Sequence, residues 1–125
     1  MPKLENHRQA LGRWGEDAAL AHLESRGYCL VQRNYRTPYG EIDLVMRDGD
    51  ALVFVEVKTR TSTHYGQPED AVTLLKQSHL QQAAQQFMQE HPEYEDEWRV
   101  DVVSILKGVS DDRVEITVFE DAIHG

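Results

Sequence analysis

Asp43, Glu56 and Lys58 are the residues of this sequence whose types and spacing could do chemistry. They lie in GEIDLVMRDGDALVFVEVKTR (Gly40–Arg60), two β-rich runs around Asp48-Gly49, a strong short-hairpin signal. Asp, Glu and Lys are seldom fully buried unless paired or bound. Yet alternation along the strands puts Val45, Leu52 and Phe54 on the same faces as these charges. If the hairpin loop has an even number of residues, Asp43 and Glu56 share one face. They are diagonal neighbours, Cβ atoms about 7 Å apart, for an Asp48-Gly49 loop, and directly opposite, about 5 Å apart, for a loop from Asp48 to Ala51. Lys58 joins them, and Glu41 shares the side of Asp43 without an assignable role.

Two carboxylates that close repel unless a cation lies between them or one keeps its proton. Oxygen-only ligation, with no Cys and no paired His, suits Mg²⁺ or Mn²⁺ over Zn²⁺. Lys58 can hold a water or stabilise charge developing on a phosphate. Together these groups suit metal-assisted attack of water on a phosphodiester. The alternative is a solvated hairpin face that displays its charges harmlessly, and the apolar neighbours on that face argue that it is covered. The six histidines show no H-x-H or H-x-x-x-H spacing, so no zinc site is expected. Ser62 and Ser104 lack a nucleophile elbow.

The elements that must position these groups follow from periodicity. Leu11, Trp14, Ala18 and Ala19 recur at helical spacing from about Glu5 to Arg26, joined by Gly15 and His22, with Gly27 as C-cap. Glu16 lies at the edge of that buried stripe, where it can face the interior from the rim. Strands are expected at Tyr28–Arg36, Glu41–Arg47 and Ala51–Arg60, then a loop at His64–Pro68. A second helix is expected from Glu69 to Glu90, with Ala71, Leu74, Leu75, Leu80, Ala84, Phe87 and Met88 inward. His91–Glu97 is an acidic connector, and Arg99–Leu106 and Arg113–Phe119 are two further strands around a turn at Gly108 to Asp112. The order α-β-β-β-α-β-β implies an α/β domain whose long second helix crosses over the sheet.

At 125 residues the chain is expected to be one domain with one core. It has neither an apolar signal-like N-terminus nor about 18 consecutive apolar residues, so a cytoplasmic protein without membrane contact is expected. The single Cys29 cannot form an internal disulfide and reads as a small buried hydrophobe. The net charge of −9 counts against a phosphate-rich partner, but it is unevenly placed. Residues 1–60 hold nine basic and nine acidic groups, whereas residues 61–125 hold four and thirteen. Any basic surface must come from the first half.

An Asp early in one strand, thirteen residues before E-x-K in the next and preceded by a helix carrying a Glu, resembles the PD-(D/E)xK nuclease superfamily. More closely, GRWGEDAA (Gly12–Ala19), RNYR (Arg33–Arg36) with GEIDLV (Gly40–Val45), FVEVKTR (Phe54–Arg60), YGQPEDAV (Tyr65–Val72) into Lys76, and RVDVV (Arg99–Val103) resemble the YraN-type family. That bacterial family is described as similar to Holliday-junction resolvases. The resemblance runs from about Arg8 to Ile105.

The resemblance implies a restriction-endonuclease-like αβββαβ core, a central mixed β-sheet flanked by helices. It implies Asp43 and Glu56 as metal ligands for Mg²⁺ or Mn²⁺, Lys58 as the catalytic lysine, and Glu16 as the further acid of the first helix. Arg33, Arg36, Arg60 and Lys76 become the expected phosphate contacts. The implied activity is metal-dependent endonuclease cleavage of DNA, of branched or damaged form, and symmetric cutting of two strands favours a homodimer. Gln77, Ser78 and His79 stand where further basic residues would be expected after Lys76. With the acidic second half, they favour an alternative: a catalytically silent nucleic-acid- or protein-binding module on the same fold.

Overall fold

The computed structural model describes residues 6–61, 72–94, 97–108 and 113–123. Helix α1 (His7–Ser25) leads into β1 (Cys29–Thr37), β2 (Gly40–Asp48) and β3 (Ala51–Arg60). Then come α2 (Leu74–Glu90), β4 (Trp98–Lys107) and β5 (Val114–Phe119). The expected loop at His64–Pro68, the residues Glu69–Ala71 and the turn at 109–112 lie outside the described residues.

The strands form one sheet in the order β1-β2-β3-β4-β5. Neighbours are antiparallel except β3 and β4, which run parallel over Leu52↔Trp98 to Arg60↔Leu106. A parallel pair needs a long crossover, and α2 lies within it. The central strands are covered on both sides, which accounts for the unbroken buried runs Leu52–Glu56 and Val100–Ile105. On one side Ala19 and Leu23 of α1 pack on Leu44, Met46, Val53, Val55, Val103 and Ile105. On the other, Leu80, Ala83, Ala84 and Phe87 of α2 pack on Val45, Leu52, Phe54, Val100 and Val102. The fold is therefore an α/β sandwich, a mixed five-stranded sheet between two helices, as the restriction-endonuclease-like reading expects.

Local chemistry fixes the helix ends. Asn6 and Gln9 form a capping box, the Asn6 side chain accepting from the Gln9 amide at 2.8 Å and the Gln9 side chain from the Asn6 amide at 3.1 Å. Gly27, at φ +93°, turns the chain out of α1. Thr73 caps α2 by accepting from the Lys76 amide at 3.1 Å.

Two sequence expectations are corrected. Leu74 and Leu75 do not face inward but are 83% and 67% exposed. The buried stripe Leu80, Ala84, Phe87, extended one turn back at helical spacing, lands on Lys76 and Gln77 instead. Cys29 is exposed rather than buried, because it opens the edge strand β1 where neither helix covers it.

Close approach of α1 to the end of β3 depends on Gly15. A Cβ at Gly15 would lie 1.8 Å from Thr59 Oγ1 and 2.9 Å from Thr59 Cβ. Gly15→Ala is expected to lower stability by about 1–3 kcal/mol in urea unfolding, with part of the loss recovered in a Thr59→Gly background. An unchanged midpoint in Gly15→Ala would show that the helix does not sit this close.

Candidate active site

The hairpin turn is Gly49-Asp50, closed by Asp48↔Ala51, one residue later than Asp48-Gly49. The register pairs Leu44 with Val55 and Val45 with Phe54. Carried one step further, it sets Asp43 opposite Glu56, the closer of the two arrangements that the sequence allows. The β2–β3 ladder stops at Leu44↔Val55, and there Asp43 replaces the strand partner: its Oδ2 accepts from the Val57 amide at 2.8 Å. Asp43 therefore sits in the fork between two diverging strands.

The single-face expectation does not hold for all of the acids. Ile42 and Val45 belong to the α2-side core while Leu44 and Met46 belong to the α1-side core, so alternation in β2 slips by one residue at Asp43. β1 slips at the same level. Tyr35 faces the α2-side core, whereas Arg33, one pair away, reaches Glu16 and Asp17 of α1. Because both strands change sides together, Arg33↔Leu44 and Tyr35↔Ile42 keep one common register. Between those pairs lies Asn34, at φ +52°, a left-handed conformation that Asn adopts more readily than most residues.

The slip brings Glu41 to the α1 side. One carboxylate oxygen from each of Glu16, Glu41 and Asp43 lies within 4.8 Å of the others. The Asn34 side-chain amide donates to Glu16 at 3.1 Å and to Glu41 at 2.8 Å. Glu16 reaches in from the rim of α1, as its place beside Gly15 and Ala19 predicts. A cleft of about 600 Å³ opens from Glu16 and Glu41, lined in part by Arg13, Arg33, Asn34 and Arg36.

Glu56 is on the α2 side and buried, 5% exposed. Its Oε1 lies 3.4 Å from Lys58 Nζ and 3.7 Å from Lys76 Nζ. Its Oε2 is buried and takes no hydrogen bond from any described residue. Of the expected phosphate contacts, Arg33 is 2.9 Å from Asp17 and 3.5 Å from Glu16, and Arg36 is 3.3 Å from Glu41. The Asp17 hydrogen bond raises the Arg33 pKa, against the opposing effect of burial. Arg60 ends β3 two residues after Lys58, alongside Leu106. The structure thus gathers Glu16 and Asp43 with Arg33 and Arg36 on the α1 side, and Glu56 with Lys58 and Lys76 on the α2 side, the two groups meeting at Asp43. It adds Asn34, Glu41 and Asp17, which sequence reasoning left without a role.

Burial pushes the Asp43 carboxyl up to about 8, with the Glu56 charge adding to it and the Val57 amide opposing it; Glu16 and Glu41 push the same way. Such a site favours either a proton on Asp43 or a cation beside it.

Residues 15–105 match the Uncharacterised protein family UPF0102. The chain belongs to the UPF0102 family. It is 48% identical over 100 residues to a UPF0102 protein of Beutenbergia cavernae, covering 80% of this chain and 85% of the relative. It is 49% identical over 96 residues to one of Syntrophomonas wolfei, covering 77% and 84%. A UPF0102 protein of Caldicellulosiruptor saccharolyticus is 36% identical over 116 residues, covering 93% and 98%. The UPF0102 match spans every acid and cation of the cluster. Among the described residues no helix is long and apolar enough to cross a membrane.

The raised Asp43 pKa carries a signed consequence for the UPF0102 chain. A group that titrates at about 8 when folded and at 3.8 when unfolded lends stability that is fully present below the lower value and is lost as pH rises to the upper one. In cation-free buffer the wild-type melting temperature is expected to fall relative to Asp43→Asn between about pH 5 and about pH 9. Added Mg²⁺ should narrow the gap at the alkaline end. Parallel curves for the two proteins would contradict the assignment.

Proposed function

We propose that this protein is a Mg²⁺- or Mn²⁺-dependent endonuclease that hydrolyses phosphodiester bonds of DNA, branched or damaged DNA being the class suggested by its resemblance to junction resolvases. The observation that carries the proposal is the Asp43 fork, a half-buried carboxyl with a raised pKa between the Glu16–Glu41 pair and the buried Glu56. Like charges so crowded are reconciled by a divalent cation. The donor set fits one. Carboxylate oxygens are the ligands that Mg²⁺ and Mn²⁺ prefer, and Glu56 Oε2 is a buried acceptor with no hydrogen bond from a described residue.

Asp43 and Glu56 would hold the cation, with Glu16 and Glu41 close enough to Asp43 to complete the oxygen set. Such a cation, when bound, lowers the pKa of water and offsets charge developing on phosphate oxygens. Lys58, on the same strand and face as Glu56, holds the attacking water or stabilises the phosphorane-like charge from the protein side. Arg33 and Arg36 border the cleft beside the acids, where they can take a phosphate. Lys76, set in the first turn of α2 by the Thr73 cap, and Arg60 at the end of β3 extend that contact. A homodimer would let two such sites cut opposed strands.

Cleavage of linear, flapped, gapped and four-way DNA with Mg²⁺ or Mn²⁺ tests the proposal. Cutting of at least one substrate is expected, stopped by chelation and reduced at least about a hundredfold in Asp43→Ala, Glu56→Ala and Lys58→Ala. Equal cutting by all three variants would identify a contaminant. Cation-dependent DNA binding without cutting by wild type would favour the silent binding module.

A further inference from the structure

We propose that Asn34 is a positioning residue of this site: its side-chain amide sets Glu16 and Glu41 for cation binding, and the left-handed backbone at Asn34 exists to deliver it. The inference rests on the metal-dependent reading above and deepens it. Three observations support it. The two hydrogen bonds, 3.1 Å to Glu16 Oε1 and 2.8 Å to Glu41 Oε1, come from one nitrogen, so a single group fixes the spacing of two carboxylates from different elements. Both bonds are exposed, so they add little to the stability of the fold. The strand conformation at this residue, φ +52°, is uncommon within a β-strand, and backbone of this kind clusters at functional sites.

Asn34 and Arg33 both contact Oε1 of Glu16, which leaves Oε2 of that carboxylate turned away from them. Asn34 occupies Oε1 of Glu41, while Oε2 of Glu41 faces Arg36 at 3.3 Å. An amide suits the role because it donates without adding charge. An Asp at this position would bring a further negative charge beside Glu16, Glu41 and Asp43, and a Lys would compete with the cation. Asn34 therefore acts on a cation through the carboxylates, as the partners behind metal ligands commonly do.

Asn34→Gly separates the two possible roles, because Gly takes positive φ without strain and lacks the amide. Binding of Mn²⁺ to the full chain, followed by the electron paramagnetic resonance of free Mn²⁺, should weaken about 10–100-fold in Asn34→Gly. The melting temperature should stay within about 3 °C of wild type. In a Glu16→Gln, Glu41→Gln background, Asn34→Gly should change the remaining affinity by less than about twofold, since the groups it acts through are altered. Wild-type affinity in Asn34→Gly overturns this inference alone, provided that Asp43→Ala abolishes binding. An effect of Asn34→Gly as large in the double-glutamine background as in wild type overturns it too, as does an unfolded or strongly destabilised Asn34→Gly, which would mark a role in the fold. Absence of Mn²⁺ binding to wild type, or equal binding to Asp43→Ala, overturns both the inference and the metal-dependent reading.

Discussion

Between the pairs Arg33↔Leu44 and Tyr35↔Ile42, β1 and β2 change sides together, and the placement of Glu41 and Asp43 beside α1 follows from that. A slip in one strand alone would cost the ladder a hydrogen bond or force a bulge, as happens at Leu30/Gln32. A slip in both keeps the register on either side, with only the Asn34–Asp43 pair missing from the ladder, while inverting which residues meet which helix. Before it, Tyr35 and Ile42 fill the core under α2; after it, Arg33 and Leu44 meet α1. Glu41 is thereby carried toward Glu16, and Asp43 is left at the fork. The sheet concentrates carboxylates at one point with no loss of core continuity, because the apolar residues on either side still fall where a helix covers them.

The two helices complete the arrangement by different devices. α1 lies against the end of β3 through Gly15, and that contact brings the adjacent Glu16 over the strands. A bulkier residue would lift the helix and its acid together. α2 contributes by phase: the stripe that buries Leu80, Ala84 and Phe87 has Lys76 as its next inward position, and the Thr73 cap starts the helix just before it. Lys76 thus meets the buried Glu56 because the core packing of α2 directs it there.

Much of this was legible in the sequence. Alternation and helical periodicity located seven elements in order, and the Asp-Gly turn signal with even parity allowed the register that sets Asp43 opposite Glu56. What escaped were departures from simple periodicity. Treating β2 as a regular strand grouped Glu41 with Asp43 on the Glu56 side, because a paired slip leaves no trace in an alternation pattern that is apolar on both faces. Its one local signal was Asn34, a residue type that tolerates positive φ, within a run otherwise suited to a strand. Leu74 and Leu75 were misplaced for the opposite reason: apolar identity was weighed above phase, and phase points to Lys76.

The charges of the site explain how an acidic protein could address a phosphate at all. Glu16, Asp17, Glu41 and Glu56 are paired with Arg33, Arg36, Lys58 and Lys76, four carboxylates with four cations. That set is neutral when Asp43 keeps its proton, the state favoured below a pKa of about 8. A divalent cation taking the place of that proton would leave the same cluster with one net positive charge. It would also draw Glu16 and Glu41 toward itself, loosening the hold of Glu41 on Arg36 at the cleft while Arg33 keeps its partner Asp17. Under the proposed function the net charge of −9 would be no obstacle, since attraction of phosphate would be local to the cleft and screened from charges beyond about 8–10 Å at physiological salt. Under the proposed function, the same carboxylates that offset Arg33 and Arg36 in the cation-free site would be the ones that hold the cation, so affinity for phosphate would arise only where hydrolysis can follow.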